Sequence, residues 1–322
     1  MRFSRLGIFV LLALSVFLTT NCTYYDRIMS RKNLVDGSIA YKERKFDRAE
    51  ELFRNAVSRD PEGETLEGRT AQLFLARTLH SRYIGNRQDT SIAEAAIQEY
   101  KKALAVDKND QSSYKAVASL YDNLQRPDDW QKWVTDRAND TSILPQNRAE
   151  ALISLAAKQN SCAAELSDTE ETKKTVQKDG KDVYQFVKPS NPQDFERLKG
   201  CVTLGNSLID QAMALEPETV KNASSMDVKN MTDQQLRENL ELVKAFESAR
   251  SYDASLKVQE MRVAEMEGRA EDRDRLKTEA DQAKQAFLDL GNVSKSLQDE
   301  IDARAAVQAE AENKEKAANT NS

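Results

Sequence analysis

Few residues in this 322-residue chain carry the side chains that catalysis uses most. There are three cysteines, Cys22, Cys162 and Cys201, and a single histidine, His80. A histidine metal centre needs more than one imidazole, and a nucleophile–base pair needs a partner placed beside it. One histidine inside the helical stretch "TAQLFLARTLHSRY" reads instead as a packing or surface residue. No Cys-x-x-Cys pair offers a zinc site or thiol exchange. No glycine-rich phosphate loop follows a strand. Carboxylate neighbours such as Glu50–Glu51 sit among many other charges, where they mark a solvated helix surface rather than an acid–base pair. Trp130 and Trp133 read as core or groove lining rather than a ligand cage. The expectation is a chain without enzyme activity, cofactor or metal, in which the thiols remain the only special chemistry.

The elements that must carry these residues follow from composition. The chain is 39% hydrophobic and 31% charged, with ten glycines and six prolines. Good helix formers dominate and β-branched runs are nearly absent, which favours an all-α protein. The length admits two ordinary domains or one elongated array. Formal charge is −6, with both signs interspersed. Neither a nucleic-acid footprint nor a polybasic membrane patch is visible, so no nucleic-acid partner is expected.

A spacing recurs along the chain. Ala49, Phe53 and Ala56 place a bulky residue between two small ones on one helix face, and Pro61 follows. The same offsets return as Ala96, Tyr100 and Ala103, with Lys108 in the proline's place. They return again as Gly205, Ile209, Ala212 and Pro217. Three copies at identical offsets indicate a repeat rather than one amphipathic helix. The small residues let a helix approach its partner closely, and the bulky one fills the groove between hairpins. The proline ends the helix and turns the chain.

This pattern resembles the tetratricopeptide repeat, a family built on a 34-residue helical hairpin. The resemblance implies an α-solenoid of four to five hairpins, since each hairpin needs a neighbour to cover its apolar face. Gly37 takes the family's small crossing position in the first unit, Ala76 in the second and Ala118, with Tyr121, in the third. The units run over about 30–63, 68–109, 110–144 and 146–217. The segment "IGNRQDTS" is read as lengthening the inter-helix turn of the second. Trp130 stands where a small residue is usual in the third, which predicts a splayed hairpin. The fourth carries an insertion over 166–193, in which Asp179–Gly180 divides two short β-prone runs. A small hairpin and a disordered flap both fit that stretch.

The resemblance also implies a concave groove lined by the first helix of each unit. Its positions fall on Arg31, Leu34, Tyr41 and Lys42, then Leu73, Arg77 and His80, then Lys115, Ser119, Asp122 and Asn123. Four cations against one acid there suggest an acidic protein or peptide partner. The Lys and Asn set of the family's carboxylate clamp is incomplete.

In the hairpin so placed, Cys162 lies near the end of one helix and Cys201 near the start of the next, so a disulfide between them is reasonable. It would add roughly 3–4 kcal/mol by loop entropy. Two buried free thiols are the alternative. The N-terminus is similar to a bacterial lipoprotein signal: Arg2 and Arg5, then thirteen apolar residues from Leu6 to Leu18, then Cys22. That run is shorter than the roughly 20 residues of a membrane-spanning helix. The resemblance implies that residues 1–21 are removed and that Cys22 takes lipid, with 22–29 as tether, on the periplasm-facing side of an envelope membrane. Asn21 and Thr19 depart from the family's small residue and leucine, which leaves a secreted chain or an uncleaved anchor as alternatives.

Beyond Pro217 the reading gives a linker over 218–232 and a degenerate capping hairpin over 233–293. Residues 294–322 form a tail that starts helical and ends solvated. The apolar stripe Leu236, Leu240, Val243, Phe246, Tyr252 and Leu256 keeps open a second possibility, self-association between chains. The expected function is a non-enzymatic protein-binding scaffold at the cell envelope, and a self-associating structural protein is the alternative.

Overall fold

A computed structural model describes the backbone of residues 5–320 and the side chains of residues 24–314. The expected signal (1–21) and Cys22 lie outside the described side chains. Among the described residues no helix is long and apolar enough to cross a membrane. Among the described residues the chain is all-α apart from one small hairpin, in line with its composition. It divides into two units, Met1–Trp130 and Gln131–Ser322.

The first unit holds α1 (Arg5–Lys42), α2 (Phe46–Val57), α3 (Leu66–Gly85), α4 (Thr90–Val106) and α5 (Gln111–Asn123). It ends inside α6 (Pro127–Asn139), just after the buried Trp130. From α1 to α5 each helix packs on the next, and α1 also packs on α3. The second unit continues with α7 (Pro145–Ser167), β1 (Lys173–Lys178), β2 (Lys181–Phe186) and α8 (Pro192–Met213). After these come the one-turn α9 (Glu218–Lys221), α10 (Asp233–Met266) and α11 (Ala270–Thr320). Helices α7 and α8 form an antiparallel pair, α10 lies against both, and α11 folds back along α10.

The small–bulky–small spacing places its residues inside. Ala49, Phe53, Ala56 and Ala96 are completely buried, and Tyr100 is nearly so. Gly205, Ile209 and Ala212 repeat the arrangement on α8. Ala76 is fully buried and Tyr121 nearly so, whereas Ala103 and Ala118 are half-buried. Gly37 shows why the position is small: a Cβ there would lie 2.7 Å from Cε1 of Phe53. The prolines do not themselves stop the helices. α2 ends at Val57 and α8 at Met213, each four residues before Pro61 or Pro217. Pro61 is exposed in the turn, and the half-buried Pro217 is the N-cap of α9.

Three inter-helix turns close in the same way. Arg44, Gln125 and Gly268 take left-handed φ of 60°, 55° and 76°. In each, the following amide donates to a carbonyl five residues back: Lys45 to Ala40, Arg126 to Tyr121, Arg269 to Ala264. This is the Schellman closure, which satisfies carbonyls that the helix end leaves free.

Three expectations change, and one of two open alternatives is resolved. "IGNRQDTS" does not lengthen a turn, because Ile84 and Gly85 extend α3 and Thr90 and Ser91 begin α4. Only Asn86 to Asp89 link the two helices, with Asp89 capping α4 through the Ser91 amide at 3.2 Å. Of the hairpin and the disordered flap that both fit 166–193, the hairpin is present over Lys173–Phe186, since Asp179 (φ 52°) and Gly180 (φ 72°) both adopt the left-handed conformation of a type I′ turn. The 218–232 stretch is no free linker. Val220 and Ala223 are buried, and two 3₁₀ turns at Ala223–Ser225 and Val228–Asn230 pack on α11. The described part of the 294–322 tail, 294–320, belongs to α11, which runs to Thr320. Leu297 is wholly buried, Ser294 Oγ donates to Glu247 at 2.7 Å, and Arg304 donates to the Met231 and Lys229 carbonyls. The stripe of α10 is consumed by these contacts. Leu236, Val243, Phe246 and Leu256 are fully buried, Leu240 is 8% exposed, and Tyr252 is half-buried. Self-association therefore loses the surface that suggested it.

Candidate partner-binding face

Of the helices that carry the expected groove positions, α3 and α5 are capped by short polar residues. Thr65 caps α3 through the Gly68 amide at 3.0 Å, and Asp60 holds Thr65 by its amide and its hydroxyl. Burial would raise the Asp60 pKa, but the hydrogen bonds from Thr65, Glu64 and Gly63 win and hold it below the usual carboxylate range. Asp110 caps α5 through the Ser112 amide at 3.1 Å.

On these helices the residues picked from the sequence fall into two groups. Tyr41, Leu73, Arg77, His80 and Asn123 are partly buried and tied to neighbouring elements. The Tyr41 hydroxyl meets Ser81 Oγ at 3.0 Å, joining α1 to α3. Its ring packs edge-on against Phe46 and Phe74. Arg77 donates to Ser112 Oγ at 3.1 Å, joining α3 to α5, and its guanidinium stands 5.6 Å from the Phe74 ring centroid. Asn123 accepts from Arg87 at 3.2 Å and donates to the Ser119 carbonyl at 2.8 Å. Leu73 lines a cavity of about 330 Å³ with Asp60, Arg69, Lys102 and Asp110. Arg31, Lys42, Lys115, Ser119 and Asp122 are exposed, and Leu34 is half-buried.

His80 is a packing residue. It stands edge-on to Tyr100, with Nδ1 3.4 Å from the phenol oxygen. Burial lowers the imidazole pKa below its ordinary value and pushes the Tyr100 phenol far above its own. Sequence reasoning missed Phe74, Ser81, Arg87 and Ser112, which complete the ties. Among the described residues no cluster of His, Cys, Asp and Glu could hold a metal ion.

The sequence-predicted disulfide is present. Cys162 and Cys201 are bonded, with their Cα atoms 6.1 Å apart. The bridge ties α7 to α8 at the base of the β-hairpin. Around it Ala163, Phe186, Phe195, Leu198, Val202, Val263 and Met266 form an apolar cluster. Arg262 lies 4.5 Å from the Phe186 ring centroid and donates to Ser167 Oγ at 3.1 Å.

No protein-family model and no curated protein matches the chain. A solved structure from a functional study of Pseudomonas aeruginosa PilF is similar over 79% of this chain and 99% of that one, at 14% identity and a TM-score of 0.30. Superposition that loose carries no weight for fold or partner.

Proposed function

We propose that this chain is a tetratricopeptide-repeat scaffold that holds partner proteins at the cell envelope without catalysing a reaction. One observation carries the reading. α1, α3 and α5 are joined side by side by ties that run between side chains, Tyr41 to Ser81 and Arg77 to Ser112. A surface fixed before the partner arrives loses less side-chain entropy on binding. The exposed Arg31, Lys42 and Lys115 on the same helices favour an acidic segment of the partner. The Cys162–Cys201 bridge supports export, because structural disulfides persist in oxidising compartments. Tethering through a lipid on Cys22 rests on the sequence resemblance alone.

The test is in-envelope crosslinking from a photoreactive residue at Leu34 or Ser119. Arg31→Glu, Lys42→Glu and Lys115→Glu together should cut partner capture at least about tenfold, since each charge reversal turns attraction into repulsion. Arg77 stays unchanged because it holds the face together. Undiminished capture by the triple variant removes the charged face from the function. For the tether, Cys22→Ala should move the protein out of the membrane fraction, and retention there removes lipidation at that residue.

A further inference from the structure

The β-hairpin of the second unit presents a face that the scaffold reading does not use. Pairing runs Lys174↔Gln185, Val176↔Val183 and Lys178↔Lys181 on one face, with Lys173↔Phe186, Thr175↔Tyr184 and Gln177↔Asp182 on the other. The second face satisfies itself. Phe186 is buried in the apolar cluster, Lys173 pairs with Asp168 at 2.8 Å, and Gln177 hydrogen-bonds Asp182. The first face carries three lysines and no acid of its own; Lys174 also donates to the Glu170 carbonyl at 2.8 Å and lies near the Glu171 carboxylate. Lys178 stands directly opposite Lys181, an arrangement that costs stability in an antiparallel pair. Val176 and Val183 lie between the lysines, half-buried and 37% exposed.

A two-stranded hairpin is marginal in water unless something else holds it. Here the disulfide, the Phe186 anchor and Arg262 hold it at its base. Edge lysines alone would serve to discourage strand pairing. A like-charge cross-strand pair beside the half-buried Val176 and the exposed Val183 exceeds that need and calls for an anion. The backbone supplies a second element. Val187 donates to the Thr172 carbonyl at 2.9 Å, so by alternation the N–H and C=O groups of Thr175 and Gln177 point outward along the free edge of β1.

We propose that the β1 edge receives an extended acidic segment of another protein as a third strand. Its acidic side chains sit beside Lys174 and Lys178, and an apolar one between them sits beside Val176. The partner's signature is therefore acid–x–apolar–x–acid, with main-chain hydrogen bonds giving affinity and the alternate side chains giving specificity. A second copy of this hairpin is a poor occupant, because it would set lysines against lysines.

The test uses the full chain and a fluorescein-labelled peptide, Gly-Glu-Thr-Val-Thr-Glu-Gly, read by anisotropy. A peptide of the same composition with adjacent glutamates should bind at least about tenfold more weakly, since only alternation puts both acids on the lysine face. Lys178→Glu with Lys181→Glu should weaken binding by a similar factor. Thr175→Pro, which removes one outward N–H and leaves every charge, should abolish it while circular dichroism and the disulfide stay intact. Equal binding of both peptides overturns the strand mode, and so does full binding by the proline variant. Sedimentation with phosphatidylglycerol vesicles or retention on single-stranded DNA, in the absence of peptide binding, also overturns the proposal. So does the absence of any binding.

Discussion

A methyl group added to Gly37 would test the closeness of helix approach on which the first unit depends. The new Cβ would stand 2.7 Å from Cε1 and 2.9 Å from Cδ1 of Phe53. That is about 0.8 Å inside an ordinary carbon–carbon contact of ~3.5 Å. Phe53 cannot step aside, being wholly buried and stacked 5.5 Å from Phe74. Overpacking of this kind costs about 1–3 kcal/mol, whereas Gly to Ala within a helix gains about 1 kcal/mol. The net expectation for Gly37→Ala is a loss of up to ~2 kcal/mol, or several degrees in Tm. Gly200 supplies the control. It is an exposed residue inside α8, and a Cβ there would meet nothing within 4 Å. Gly200→Ala should therefore stabilise by about 1 kcal/mol, so one substitution gives opposite signs at two sites. Urea denaturation followed by circular dichroism reads both. Hydrogen exchange then assigns the Gly37 effect to α1 and α2, which matters because two units need not unfold together. Phe53→Leu should relieve part of the penalty in a double-mutant cycle. If Gly37→Ala stabilises as Gly200→Ala does, close approach is not what makes that position small.

Three further outcomes follow from burial and pairing. Burial lowers the folded-state pKa of His80, so the native state binds fewer protons than the unfolded chain just below the ordinary imidazole value of about 6.5. Its contribution to stability is complete above that pH and falls as pH drops toward the lowered folded value; His80→Gln should flatten urea midpoints measured between pH 7 and 5. Reducing Cys162–Cys201, which are 39 residues apart, should cost roughly 3–4 kcal/mol and speed proteolytic nicking within 166–193, read by mass spectrometry with and without reductant. Arg250 donates to the nearly buried Glu216 at 2.7 Å, so Arg250→Ala should cost about 3–5 kcal/mol by stranding the carboxylate; Arg250→Met with Glu216→Leu should cost less, both read by urea denaturation.

The features legible in the sequence were those in which one residue's size or backbone freedom decides the outcome. Gly37 and Gly205 were readable because a side chain at either would strike a neighbour: a Gly205 Cβ falls 2.5 Å from Leu256. Asp179–Gly180 was readable because few residue pairs accept two positive φ values in succession. What escaped depended on contacts between residues far apart in the chain. The sequence reading closes the capping hairpin at residue 293 with a tail beyond it, but Glu247 of α10 receives Ser294 and lies 3.3 Å from where a Gly291 Cβ would stand. A local signal did exist, since Leu290, Ser294, Leu297 and Ile301 continue the helical spacing. The ties on the partner-binding face escaped for the same reason. Tyr41 and Ser81 are 40 residues apart and Arg77 and Ser112 are 35. Spacing within one helix predicts which face a residue occupies, whereas a tie between helices also depends on how far one is shifted along the other. That shift is fixed by the buried glycines and alanines, so a groove residue's partners become readable only after the small-residue positions have been placed.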